Sequence, residues 1–303
     1  MSTPIEQLLP RFTTFQNETL MVAPLSGGLT NTNYRVEADG VPYVVRIPGA
    51  QTELLAVDRA NEYYNARAAS AAGVAPRIVH YLDDVNVMVL EFIRGETPSI
   101  ARLNEPGLAT RMARACKQLH AGPRFLRDFN MFRLTEYYLQ VTREHEVKIP
   151  DGYPEYRPRV NEIESAFVRK PLPTVPCHND LLAENYVGDG TKLWLIDFEY
   201  SGNNDPTFEL GNTAQEQQFD DAHQRELCAG YFGDAYFGGT PWDKLARMKL
   251  NMIMSDVGWT LWAAIQHKIS TIEYDFWGWA IDRWGRATQK MDAPQFREWL
   301  DAV

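Results

Sequence analysis

The 303-residue chain has only three cysteines, Cys116, Cys177 and Cys228, far apart and without a CxxC pair. That argues against a disulfide framework and predicts reduced thiols in a cytoplasmic protein. Positive charge is also in deficit: 30 Lys and Arg against 40 Asp and Glu leave a net charge of −10. Sequence-independent nucleic-acid binding needs a basic footprint to displace counterions, so that class is excluded. An anionic substrate must instead meet local positive groups. No apolar run reaches the length of a membrane span, because the stretch 250–266 is broken by Asn251, Ser255 and Asp256. The first ten residues lack a basic segment followed by an apolar run, so they are not read as a secretory signal. There is no internal repeat and no low-complexity linker. What the chain does have is 45% hydrophobic residues, enough to bury the core of one large domain or two modest ones.

The most informative stretch runs from Cys177-His178-Asn179-Asp180 to Asn185, followed by Leu195-Ile196-Asp197-Phe198-Glu199. An aspartate with an asparagine five positions on and another aspartate seventeen positions on is the spacing of the catalytic and metal-binding groups of protein kinases. Phosphoryl transfer leaves a protein little covalent chemistry. It must supply a carboxylate facing the acceptor hydroxyl and oxygen ligands for Mg²⁺ on the phosphates. Asp180 suits the first role, and Asn185 with Asp197 the second. His178, two before Asp180, is placed to brace the loop. Polar turns produce such spacings too, but here Tyr186-Val187 and Leu193–Ile196 read as strands around a Gly188-Asp189-Gly190 turn. That hairpin gathers the acidic and amide groups at its open end.

Upstream, Leu20–Ala23, Asn33–Val36 and Tyr43–Ile47 read as strands separated by glycine-containing turns. The Ser26–Asn31 turn is either an ordinary hairpin or a phosphate cradle of backbone N–H groups; it lacks GxGxxG spacing. Arg46 ends the third strand, where protein kinases keep a phosphate-holding lysine, and a guanidinium can grip phosphate in that place. The alanine-rich segment 54–72 reads as a helix, with Glu62 available either to Arg46 or to Arg59 three residues before it. Two further strands at 79–81 and 87–92 complete a five-stranded sheet, and 93–98 reads as a hinge. Helices are expected at 105–120, 132–148, 155–169, 207–219, 221–235, 241–268, 273–290 and 293–302. His120 reads as a cap on its own helix end, and His145, His223 and His267 as surface residues. Seven of the eight tryptophans lie beyond position 240, with Trp259 and Trp262 three apart on one helix face and Gln266 one turn further. Such a stripe fits plain core; it also fits an aromatic cage for a quaternary ammonium.

These segments, together with Phe208–Glu216, resemble the choline/ethanolamine kinase family, a branch of the aminoglycoside-phosphotransferase group, over most of residues 20–290. The resemblance implies an α+β, bilobal, protein-kinase-like fold. A nucleotide-binding lobe of residues 1–93, with a small antiparallel sheet and one helix, would precede a mostly helical catalytic and substrate-binding lobe of residues 94–303. It implies ATP and Mg²⁺, with Gly27, Gly28 and Asn31 at the phosphates and Arg46 held by Glu62. Backbone at Glu91 to Ile93 would meet the adenine edge, and Glu199 would hold a second ion or a ligating water. It further implies choline as the alcohol, walled by Trp259, Trp262 and Trp279 with Tyr274 nearby, and Glu216 lending negative potential. Trp279 stands where the family often carries tyrosine, and Asp205-Pro206 departs from its loop. Ethanolamine is the near rival, since a primary ammonium wants acceptors where a methylated one wants ring faces. An aminoglycoside would call for a broad rim of carboxylates. A catalytically silent binding protein is the alternative of another class, and retention of His178, Asp180, Asn185 and Asp197 together counts against it. The aromatic end leaves room for a homodimer interface as well as a pocket.

Overall fold

The structure, a computed structural model, describes residues 4–16, 18–25, 28–98, 105–233 and 242–303. Gly27 lies outside them. Helix α1 (Ile5–Leu8) leads into strands β1 (Leu20–Leu25), β2 (Asn31–Ala38) and β3 (Val41–Pro48), then helix α2 (Arg59–Ala71) and strands β4 (Ile78–Leu82) and β5 (Val87–Glu91). The five strands form the expected antiparallel sheet, in the order β1-β2-β3-β5-β4. Register places Arg46 in β3 between Asn33 and Met88. Its neighbours Val45 and Ile47, on the opposite face of the strand, are buried in the sheet's core, while Arg46 is buried on the other side. That core draws on an unexpected source: Ile5, Leu8, Leu9, Phe12 and Phe15 from the N-terminal segment pack beneath the sheet.

Helix α2 begins later than the alanine run suggests. Thr52–Leu55 forms a single 3₁₀ turn, Ala56 takes a left-handed φ of 60°, and the helix starts at Arg59 because Asp58 accepts from the N–H groups of Ala60 and Asn61. This start sets Glu62, Asn61 and Asn65 on its inner side. The two asparagines donate to the Ser201 carbonyl at 2.9 and 3.0 Å, so amide hydrogen bonds tie the helix down where an apolar stripe is lacking. Its alanines share a core with the helices that follow.

Those are α3 (Leu108–His120), α4 (Met131–Glu144), α5 (Arg157–Arg169), α6 (Pro206–Glu216), α7 (Asp221–Phe232), α8 (Trp242–Ile269), α9 (Phe276–Asp292) and α10 (Gln295–Ala302). Helix α9 starts at Phe276, not 273, because Asp275 accepts from Gly278 N–H. Between α5 and α6 run short strands β6 (Val175–Cys177), β7 (Tyr186–Gly188), β8 (Leu193–Leu195) and β9 (Gly202–Asn204), paired β6 with β9 and β7 with β8. Strands β7 and β8 are the expected hairpin, and its turn bridges to Glu96 just after β5. Asp205-Pro206, the departure noted in the sequence, is the N-cap and first turn of α6. Helix α8 is buried on nearly every side and forms the axis around which α4, α6, α9 and α10 pack. No helix among the described residues is long and apolar enough to cross a membrane.

Helices α6 and α8 approach closely at Gly211, where an added Cβ would lie 2.7 Å from the Met248 carbonyl and 2.9 Å from Asn251 Cβ. Gly211→Ala should therefore lower stability by about 1–3 kcal/mol in urea unfolding, the cost of overpacking, despite alanine's better helix propensity.

Candidate active site

The His178–Asp180 loop is fixed from α6. The N–H groups of His178 and Asn179 both donate to the buried Glu209 carboxylate, at 2.8 and 2.7 Å. Asn212 accepts from Leu181 N–H at 2.6 Å, and Gln217 donates to the Leu181 carbonyl at 3.1 Å. Glu209, Asn212, Glu216 and Gln217 thus share one face of a helix whose remaining surface is core. Burial opposes ionisation of Glu209, but the hydrogen bond and electrostatic attraction from His120 and the backbone N–H donors hold its carboxyl below the usual range. His120 does not cap its own helix; its Nδ1 meets Tyr231 Oη at 2.7 Å, and its Nε2 lies 3.5 Å from Glu209 and from Cys177 Sγ.

His178 bridges the loop to the next strand. Its Nε2 donates to the Ile196 carbonyl at 2.7 Å, and its Nδ1 accepts from Asp180 N–H at 3.3 Å. That pairing requires the neutral tautomer, and burial keeps its pKa low. Asn179 and Asp197 adopt left-handed φ values of 69° and 70°, a conformation that Asn and Asp tolerate best among non-glycine residues. Asn185 donates its amide Nδ2 to the Asp180 carbonyl at 2.7 Å, leaving Oδ1 as an acceptor. Through its own carbonyl it also receives Ile196 N–H, which sets it beside Asp197.

Two guanidiniums hold the acidic groups here. Arg46 is buried; its Nε donates to Glu62 at 2.9 Å and its Nη2 to Asp197, with Glu199 3.5 Å away. Arg59 bonds both Glu62 at 2.7 Å and Glu199 at 3.3 Å. Both partnerships read for Glu62 therefore coexist. Burial disfavours the Arg46 charge, yet three carboxylates raise its pKa further still. Asp197 stays below its usual range despite burial, because of Arg46. Glu199 is pushed up to about 7 by burial and by Asp197. It also accepts from Thr30 Oγ1 at 2.7 Å and Asn31 Nδ2 at 2.8 Å, joining the first turn of the chain to the metal-type carboxylates. Gly28, at φ 120°, has no room for a side chain against the Asn31 carbonyl. Glu91 sits at the end of β5 and pairs with Arg77, and Ile93 is half-buried just beyond it.

The aromatic residues cluster as well. Trp259 packs edge-on to Tyr200 at 4.9 Å, and Trp262 donates its Nε1 to Tyr200 Oη at 2.7 Å. Trp279 stands perpendicular to Trp262 at 5.4 Å, and the exposed Tyr274 lies 6.3 Å from Trp279. Two corrections follow for the substrate wall. Glu216 is not a free negative charge, because Arg283 grips it with two hydrogen bonds of 2.7 Å. The same guanidinium sits 4.0 Å over the Trp279 ring and covers one of its faces. Arg283, Tyr200 and Glu209 were not singled out by sequence, and Arg59 was read only as a local partner of Glu62, not of Glu199. The only sign of Glu209 was its i,i+3 and i,i+7 relation to Asn212 and Glu216 in a run otherwise reading as core.

Asp180 stands between the two clusters. Its carboxylate accepts no hydrogen bond from the described residues, and its pKa is raised well above the ordinary value by burial and by Glu216, Asp197 and Glu199. An unpartnered carboxylate beside further oxygen donors and near an aromatic cluster, on a kinase-like scaffold, is an arrangement suited to phosphoryl transfer. Comparison with known proteins agrees. Residues 22–249 match the model of the phosphotransferase enzyme family. A choline/ethanolamine kinase family protein from Mesorhizobium loti superposes with a TM-score of 0.86 at 33% identity, covering 98% of this chain and 97% of that one. Ethanolamine kinase 2 of Homo sapiens is 29% identical over 93% of this chain and 78% of its own length. The choline kinase LicA of Streptococcus pneumoniae, 24% identical with a TM-score of 0.77 over 95% and 98% of the two chains, shares the fold. The chain belongs to the phosphotransferase enzyme family, in its choline/ethanolamine kinase branch.

Replacing Glu209 by Gln keeps its shape but sets an amide N–H against a backbone N–H. The expected result is a loss of about 2–3 kcal/mol in stability and at least a tenfold drop in turnover, with nucleotide KM little changed. The depressed carboxyl stabilises the fold above the ordinary glutamate range and loses that effect as pH falls through its folded value. Acid unfolding of the wild type should therefore be steeper than that of Glu209→Gln.

Proposed function

We propose that this protein transfers the γ-phosphoryl group of ATP to the hydroxyl of choline. The observation that carries the reading is Asp180, the one carboxylate of the cleft without a hydrogen-bonding partner among the described residues. It orients the alcohol and accepts its proton, and its raised pKa brings it nearer to neutrality, as a general base requires. Neutral His178 and the α6 contacts keep it in place. Asn185 Oδ1, Asp197 and Glu199 are hard oxygen donors of the kind Mg²⁺ prefers, and Mg²⁺ bound there neutralises phosphate charge. The Gly28–Asn31 turn and Arg46 face the phosphates, and backbone at Glu91–Ile93 faces the adenine edge. The face of Trp279 that Arg283 leaves uncovered, backed by the buried Trp259 and Trp262 and with Tyr274 at the rim, suits a methylated ammonium, a ring face contributing about 0.5–2 kcal/mol. Glu216 is already engaged by Arg283 and offers a primary ammonium less. Ethanolamine is the second reading, favoured by the similarity to human ethanolamine kinase 2. Three buried free thiols suit a cytoplasmic setting.

ATP consumption with Mg²⁺ should depend on choline, more weakly on ethanolamine and not on an aminoglycoside. It should fall about 10²–10⁴-fold in Asp180→Asn, while calorimetry still detects choline binding. Turnover with ethanolamine alone would transfer the reading to that alcohol. No turnover with any of the three would point to a silent binder.

Protons and Mg²⁺ compete for Glu199, whose pKa is pushed up to about 7. Apparent Mg²⁺ affinity should therefore rise from pH 6 to pH 8 and lose most of that rise in Glu199→Gln.

A further inference from the structure

The turn at Gly28–Asn31 is anchored on three sides. Buried Gln266 donates its Nε2 to the Leu29 carbonyl at 2.9 Å, and the Leu29 side chain packs against the core that contains Trp259 and Trp262. Gly49 N–H donates to the Thr30 carbonyl at 3.0 Å, and a Cβ at Gly49 would collide with that carbonyl. Thr30 and Asn31 donate to Glu199. Gln266 stands four and seven residues after Trp262 and Trp259 on α8, so the helix carrying the aromatic wall also holds the phosphate-side turn by its backbone.

We infer that Gln266 is a positioning residue that couples alcohol binding to nucleotide binding. The Gln266 bond and the Leu29 contact exist only with the turn seated on α8. In that position the turn sets Leu29 against the aromatic core and Thr30 and Asn31 against Glu199 at once. An alcohol bound against Trp259 and Trp262 loses more water when Leu29 closes beside it, so it favours the seated turn; nucleotide phosphates favour the same state from the other side. Enclosure also keeps water from competing with the alcohol for the phosphoryl group. The inference rests on the kinase reading above.

The test measures binding of a non-hydrolysable ATP analogue with Mg²⁺ by calorimetry, with and without choline or ethanolamine, and ATP hydrolysis in the absence of alcohol. Wild type should bind the analogue about fivefold tighter when alcohol is present, within the usual range of coupling between sites. Gln266→Leu and Gln266→Glu remove the donor at similar volume, and Gly49→Ala pushes the Thr30 carbonyl away without touching the pocket. In all three the coupling should fall below about twofold, the loss of roughly one neutral hydrogen bond. Alcohol affinity without nucleotide should change less than about twofold, and hydrolysis relative to transfer should rise. Any of the three that unfolds early in a thermal melt is set aside, and the remaining variants decide. Coupling retained in every folded variant overturns the inference alone. Loss of alcohol binding in the absence of nucleotide also overturns it, by making Gln266 part of the pocket itself. A wild type that responds to no alcohol overturns both the inference and the kinase reading.

Discussion

The crowding of carboxylates in one cleft is the constraint on which the rest of this structure depends. At 4 Å and an effective dielectric near 20, two like charges repel by about 4 kcal/mol, and Asp180, Asp197, Glu199 and Glu62 all face one region. Arg46 and Arg59 answer that repulsion with a lattice in which each guanidinium touches two acidic groups. On the far side, Arg283 does the same for Glu216 and Asp256. Asp180 lies between the two lattices. Each of those neighbours has a guanidinium partner, whereas the Asp180 carboxylate has no hydrogen-bonding partner among the described residues.

Much of the architecture serves to hold that arrangement against its own electrostatics. Helix α2 is short of apolar surface and would be poorly held as an isolated element, yet it must deliver Arg59 and Glu62 together. Asn61 and Asn65 secure it through amide bonds to the Ser201 carbonyl, a few residues past Glu199. Helix α6 plays the matching part for the His178–Leu181 loop. Because Gly211 lets it lie close against α8, its polar face sits at a fixed depth beneath His178–Leu181. The two helices thus act as rigid rails for groups that would otherwise repel one another apart.

The residues proposed to carry the chemistry were more legible in the sequence than those that hold them. Asp180, Asn185 and Asp197 declare themselves by spacing, since one short hairpin sets their separation and little beyond it is needed. The five-stranded sheet was legible for a similar reason, because glycine turns and β-branched runs are local signals. Helix α2 was placed too early because an alanine run carries no information about where its cap falls; Asp58 decided that. Arg283 and Glu209 were invisible because their partners lie 67 and 31 positions away, and pattern within a window cannot report a contact made across the fold. The tryptophans mark the intermediate case. Their spacing fitted plain core as well as a cage, only the family resemblance implied a wall, and neither showed that a native guanidinium would already lie on one of the rings.

The cysteines open a different use of the same packing. Cys116, Cys177 and Cys228 are all buried, and loss of hydration pushes each thiol up, away from the reactive thiolate. Cys177 immediately precedes His178, and Cys116 lies on the helix that brings His120 to Glu209. The native chain is therefore silent toward alkylating reagents until the packing around the catalytic loop opens. The pace at which these thiols become modified is a built-in clock for that opening, and a cysteine introduced on the surface would carry a probe without competition from the native three.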